Sequence, residues 1–252
     1  MPFDKNAADV LFMRGEYEKA REMFLMGAEE GSEIAAYNYA YCLLGGYGGE
    51  RDPALAKSFF TFARDMEGGE SCYNLAVMYL DGVGVERDLR QALAYMTDAA
   101  ELGSVEAMLY LGMCYTLGYM LYPDITGICM IPYHKPEMRL DGVLMLEGDM
   151  GDIAKDEEER STVVRQDQRR AFEYFAEAAT ADPTYVEDLV AKGRFLFARC
   201  FIDGLGTDIN RNVGMQLMLS AGKLGSVEAV AFLAENGVDT RQLAEFNVKP
   251  ND

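Results

Sequence analysis

Small and large apolar residues recur along this chain in a fixed order. "AAYNYAYC" (35–42), "SCYNLAVM" (71–78), "AMLYLGMC" (107–114), "GRFLFARC" (193–200) and "AVAFLAEN" (229–236) keep small residues at their first and sixth places. Five apart, those places fall on one side of a helix. A second pattern, "ALAYMTDAAELG" (92–103), "AFEYFAEAATAD" (171–182) and "GMQLMLSAGKLG" (214–225), keeps small residues at places one and eight and large apolar ones at four and five. Both predict helices, and Gly103 and Gly225 stand where C-terminal caps belong.

The stretches that join the two patterns repeat as well. "CLLGGYGGERDPALAKSFF" (42–60) overlies "MYLDGVGVERDLRQALAYM" (78–96) at an offset of 36, and "CFIDGLGTDINRNVGMQLM" (200–218) follows 122 residues after the second. Each carries a Gly-x-Gly, at Gly46 and Gly48, Gly82 and Gly84, and Gly204 and Gly206. A glycine pair ahead of a helix raises the question of a phosphate-binding loop. Neither a Lys-Ser/Thr pair nor a third glycine follows, and a phosphate loop needs no recurrence, so the glycines predict chain reversal before a helix that starts at an Asp cap.

In this register the chain resembles the Sel1-like repeats, relatives of the tetratricopeptide repeat. Their units carry small-x3-Leu-Gly-x2-Tyr, then Gly-x-Gly-Val, then Ala-x5-Ala-Ala-x-x-Gly, and residues 71–103 followed by "SVEAMLYLGMCY" match almost throughout. The resemblance extends over about residues 32–118 and 163–237, while "NAADVLFMRGEYEKAREMFLMGAEEG" (6–31) is similar to the shorter tetratricopeptide form. It implies an all-α fold, an α-solenoid of stacked helix-turn-helix units (an α/α superhelix) with one long insertion. The expected organisation is a single array over 1–252: repeats at about 6–31, 32–68, 69–103, 104–182 and 183–225, then a capping half-repeat at 226–252. Departures from the pattern are Gly214 for alanine, Asp182 for glycine, and the interrupted turn after Gly118.

Charge narrows the partners. A formal net charge of −19 repels the phosphate backbone of nucleic acid and anionic lipid surfaces alike. No run of about 18 apolar residues predicts a membrane helix, and the first residues lack the features of a secretory signal, so a soluble, cytoplasmic protein is expected. Five irregularly spaced cysteines argue against a disulfide framework. Cys42, Cys114 and Cys200 share the repeat position of Met78, with Cys72 a near neighbour, and all four read as buried fillers. Relatives that resemble secreted, disulfide-stapled proteins pair cysteines within every repeat, which this chain does not.

The fourth repeat is interrupted. Asp167 aligns with Asp88 at an offset of 79 but Tyr115 with Tyr79 at 36, leaving 43 extra residues over about 119–162. This insertion holds three prolines, Cys129 and the sole histidine, His134. Cys129 and His134 lack a third orienting group and a second ligand pair, so no catalytic, metal-binding or cofactor-binding residue is expected. Its apolar stretch marks Ile128, Met130, Tyr133 and His134 as candidate contacts, and Asp156–Glu159 reads as a solvated acidic run.

On the other side of the first helix from the small-residue stripe lie Tyr37, Tyr41, Tyr73, Val77, Leu109, Met113, Phe195 and Arg199. Packing against neighbouring units accounts for such residues; so does a strip that takes a peptide or partner helix. The resemblance implies the second, a noncatalytic scaffold or adaptor binding a protein or peptide on the concave face of the array. The alternative is a small-molecule-binding or hydrolytic protein with its site built around the insertion. In a third arrangement, the insertion's apolar segment occupies the chain's own strip.

Overall fold

The computed structural model describes residues 3–66, 68–118, 120, 163–184 and 186–240. Among them are eleven α-helices and no strand, in two compact units. The first unit, the described residues of Met1–Ser104, contains three helix pairs: α1 (Lys5–Met13) with α2 (Tyr17–Glu29), α3 (Glu33–Gly45) with α4 (Pro53–Arg64), and α5 (Gly69–Asp81) with α6 (Leu89–Glu101). The second, the described residues of Val105–Ile128 and Arg160–Asp252, pairs α7 (Val105–Leu117) with α8 (Gln168–Thr180) and α9 (Glu187–Asp203) with α10 (Arg211–Lys223), and ends on α11 (Val227–Glu235). Within each unit every helix packs on the next in the chain, the stepwise arrangement of a helical-repeat solenoid.

Local chemistry sets the helix ends. Asp52, Asp88, Asp167 and Asn210 each cap a second helix by accepting from backbone N–H groups of its first turn, and Pro53 follows Asp52 where a missing N–H costs nothing. The first helices α3, α5 and α9 end on a left-handed glycine. Gly82 has φ +71°, and its N–H donates to the Met78 carbonyl, as does that of Val83 at 2.9 Å. Gly46 and Gly204 repeat this geometry on the carbonyls of Cys42 and Cys200. A side chain then crosses the turn: Arg51 Nε donates to the Leu44 carbonyl at 2.9 Å, Arg87 Nε to Leu80 at 3.0 Å, and Gln166 Nε2 to Thr116 at 2.9 Å. Carbonyls that a helix C-terminus leaves open are thereby satisfied.

The second glycine of each turn has a different task. Gly84, at φ +69°, lies so near the start of α4 that an added Cβ would stand 2.6–2.9 Å from the Pro53 Cβ, carbonyl carbon and oxygen. Equivalent crowding sets Gly48 against the Tyr17 backbone at the start of α2, and Gly206 against the Gln168 backbone at the start of α8. Each turn is thus seated on the first residue of the preceding unit's second helix. Between the helices, small residues admit large ones: Phe12, Phe24, Leu43, Phe60, Leu75 and Met78 join one core in the first unit. In the second, Met218 and Leu233 pack with Ala198, Ala221 and Ala229.

The departures from the repeat pattern have local answers. Where Asp182 replaces glycine, α8 ends in an extended Ala181, Asp182 accepts from the Thr184 N–H and hydroxyl, and α9 runs 17 residues where α7 and α10 have 13. At Gly214 the volume of the missing methyl is taken by Ile202, whose Cγ1 would lie 2.6 Å from it.

The interrupted turn closes as though nothing were inserted. Gly118 N–H donates to the Cys114 carbonyl at 2.7 Å, and Asp167 N–H to Tyr115 at 2.8 Å, matching the 2.9 Å bond from Asp88 to Tyr79. Tyr115 stacks on Tyr174 at 5.9 Å and 9°, as Tyr79 does on Tyr95 at 5.5 Å and 22°.

Gly84→Ala, which meets both a left-handed φ and the Pro53 backbone, is expected to lower stability by about 3 kcal/mol in urea unfolding. Gly103→Ala, at positive φ but with nothing within 4 Å, should cost only about 1 kcal/mol. Deleting residues 120–162 with Val163→Gly restores the uninterrupted spacing. Its far-UV circular dichroism per helical residue should match the parent, with the melting midpoint within about 4 °C.

Candidate functional site

The eight residues opposite the small-residue stripe divide sharply by burial. In the first unit Tyr73 is 3% exposed and Val77 1%, because α5 is buried around its whole circumference from Ser71 to Met78. Tyr37 and Tyr41, one turn apart on α3, are half-buried. The Tyr37 ring meets Phe60 edge-on at 5.7 Å, and its hydroxyl accepts from Asn74 Nδ2 at 3.4 Å. Tyr41 stacks on Tyr47 at 5.8 Å and 9° and tilts against Phe12 at 6.1 Å.

In the second unit Leu109 is fully buried on α7, whereas Met113, one turn on, is half-buried. On α9, Phe195 packs partly against the core around Ala198 and Met218. Arg199 pairs with Asp203 at 2.6 Å and lies over the Phe232 ring at 5.9 Å. A cation on an aromatic ring beside a carboxylate is held in place without being removed from solvent. Ile128, Met130, Tyr133, His134, Cys129 and the Asp156–Glu159 run lie outside the described residues.

Two contributors escaped the reading of the chain. Arg87 and its counterpart Arg51 tie the turn to the helix before it, and the recurrence of Glu-Arg-Asp at an offset of 36 was the available signal. Arg194 bridges three helices, donating from Nε to the Ala179 carbonyl at 3.0 Å and from an Nη to Ser220 Oγ at 2.9 Å. Nothing in its repeat position, shared with Cys72, announces that.

The four described cysteines are buried, and no disulfide joins one to another. Burial pushes the Cys42 thiol up to about 12 and those of Cys72 and Cys200 to about 11, so none is a thiolate nucleophile near neutral pH. Burial, and then the neighbouring Glu70, raises the Glu33 carboxyl; burial lowers the Lys192 ammonium. Among the described residues no three His, Cys, Asp or Glu side chains gather to hold a metal, and no helix is long and apolar enough to cross a membrane. What the geometry offers is partly covered aromatic and apolar surface on rigid helices, which suits recognition of another chain.

Thiol labelling checks the cysteine assignment. In a Cys129→Ser variant the native protein should take up no label at pH 8, and four equivalents after denaturation. Because these folded thiols titrate higher than unfolded ones, their stabilising contribution is full below the ordinary thiol value and lost as pH climbs toward about 11–12. The urea midpoint should therefore fall above pH 9.

The family model described as the Sel1 repeat matches residues 12–32, 34–67, 69–104, 105–126, 158–183 and 193–226. A Sel1 repeat protein from Oxalobacter formigenes, 15% identical, has a similar solved structure with a TM-score of 0.64, the match covering 96% of this chain and 82% of that one. The c5321 protective antigen of uropathogenic Escherichia coli strains, which displays an SLR fold, is 18% identical with a TM-score of 0.37, over 87% of this chain and 52% of that one. Among curated proteins nothing matches. Six matched segments over more than half of the residues, on helix pairs joined by glycine turns, establish that the chain belongs to the Sel1 repeat family.

Proposed function

We propose that this chain is a noncatalytic adaptor that binds a protein or peptide partner along its first helices. Repeats of this family generally serve protein–protein interaction, which supports the class of function. The observation that carries the reading to residues is the graded burial along the strip. Tyr73, Val77 and Leu109 are sunk into the wall. Tyr37 and Tyr41 in the first unit, and Met113, Phe195 and Arg199 in the second, keep part of their surface outside it. Rigid aromatic rings and an arginine, half-covered and fixed by neighbours, are the side chains that anchor interfaces at low entropic cost. Four buried cysteines, none joined to another by a disulfide, support a reducing, cytoplasmic setting.

Photo-crosslinking tests this reading without removing bulk from the wall. Benzoylphenylalanine placed at Tyr41 or at Phe195 should yield a discrete protein adduct in native extract, and the same group at Ile209, 65% exposed ahead of α10, should not. Equal adducts from all three positions, or none from the first two, would contradict the proposal.

A further inference from the structure

The second helices of the first unit carry an apolar stripe that its core does not use. On α4, Phe60 is fully buried and fills the repeat's core position, yet Phe62 on the same helix and Met66, two residues beyond its end, are each 42% exposed. Met26 on α2 stands 36 residues before Phe62, and Leu102 at the end of α6 stands 36 after Met66. These are the same repeat positions, and both are open, at 49% and 43%. Four large apolar side chains are therefore exposed at two repeat positions, on or just after the three second helices, and the third member of each position is acidic, Asp98 and Glu30.

Acidic residues flank the row. Glu22 and Glu29 on α2, Asp98 and Glu101 on α6, and Glu30 and Asp65 at helix caps are all exposed. Glu29, Glu30, Asp65 and Glu101 lie at C-terminal ends, where the helix dipole is itself negative and a carboxylate costs stability. Neutralising cations are mostly elsewhere. Lys57 and Arg21 are turned onto the rings of Tyr79 and Tyr39, and Lys19 is paired with Glu16. Arg90 lies in the first turn of α6. Arg64 covers Tyr95 and answers Asp65 alone. Glu30 accepts from the Phe3 N–H at 2.8 Å and Asp65 pairs with Arg64, so it is Glu29 and Glu101 that point to a role outside the fold.

We infer that this outer face of α2, α4 and α6 docks a basic amphipathic helix, whose apolar side covers Met26, Phe62, Met66 and Leu102 and whose lysines or arginines face the carboxylates. A basic partner also meets the chain's net charge of −19, which disfavours a second copy of the chain as occupant. This surface is separate from Tyr37 and Tyr41 on α3, and gives the first unit a second place to hold a chain.

Fluorescence anisotropy on the full chain, with a labelled Leu/Lys amphipathic helix of about 14 residues as probe, tests the assignment. The probe should bind, weaken steeply with salt, and lose at least tenfold in affinity to Phe62→Ser/Met66→Ser. Met26→Gln/Leu102→Gln, on two other helices, should weaken it comparably and serves as the reading if the first pair perturbs the helical spectrum. A Leu/Glu peptide of the same pattern should not bind, and Ile209→Ser, exposed in the second unit, should change nothing. Glu29→Gln/Glu101→Gln should flatten the salt dependence. No binding, or binding indifferent to both apolar pairs, overturns the proposal. A concentration-dependent dimer abolished by the same substitutions overturns it in favour of a second copy.

Discussion

The fold depends on a contact between two stretches of backbone. At Gly84 the turn of one repeat comes so close to Pro53, where the preceding second helix begins, that no side chain fits between them. Gly48 on Tyr17 and Gly206 on Gln168 make the same contact. Apolar packing between helices is plastic over distances of about an ångström, because side chains choose among rotamers. A backbone pressed on a backbone has no such freedom. It sets how far one unit sits from the last, and the left-handed first glycine sets the direction in which the chain leaves it.

That division of labour explains why the insertion is compatible with the array. The α7–α8 turn retains the first glycine, Gly118, the bond from Asp167 to Tyr115 and the Tyr115–Tyr174 stack, but Met120 stands where the second glycine would be. The closure of the pair and the seating of its turn are separate functions carried by separate residues. Only the closure is conserved among the described residues at that point.

Much of this was legible in the chain, because stacking imposes its period on the residue types. Small residues at fixed places, Asp at the start of second helices and paired glycines between them can each be read from one strand of text at an offset of 36. Burial was harder. The helical wheel separates Tyr73 and Val77 from the small-residue stripe correctly, but in α5 both arcs are covered, so the wheel does not say which arc is free. Tyr37 and Tyr73 occupy equivalent positions and differ in exposure, a consequence of their neighbours rather than of themselves. The extra turn of α9 draws on the seven additional residues between Asp182 and Gly193, a difference the sequence displays when it is set beside Gly103 to Ala107. The outer row of Met26, Phe62, Met66 and Leu102 became visible only once Phe60 was seen to fill the core.

Rigid repeats with side chains left half-covered are suited to holding other chains, and every element of that argument rests on the spacing between units. Nuclear Overhauser contacts report that spacing directly. The account predicts contacts from the Gly84 Hα protons to Pro53, repeated between Gly48 and Tyr17 and between Gly206 and Gln168, with Gly84 at positive φ. Their absence, with the helices otherwise intact, would show that something other than the glycine seat sets the stacking.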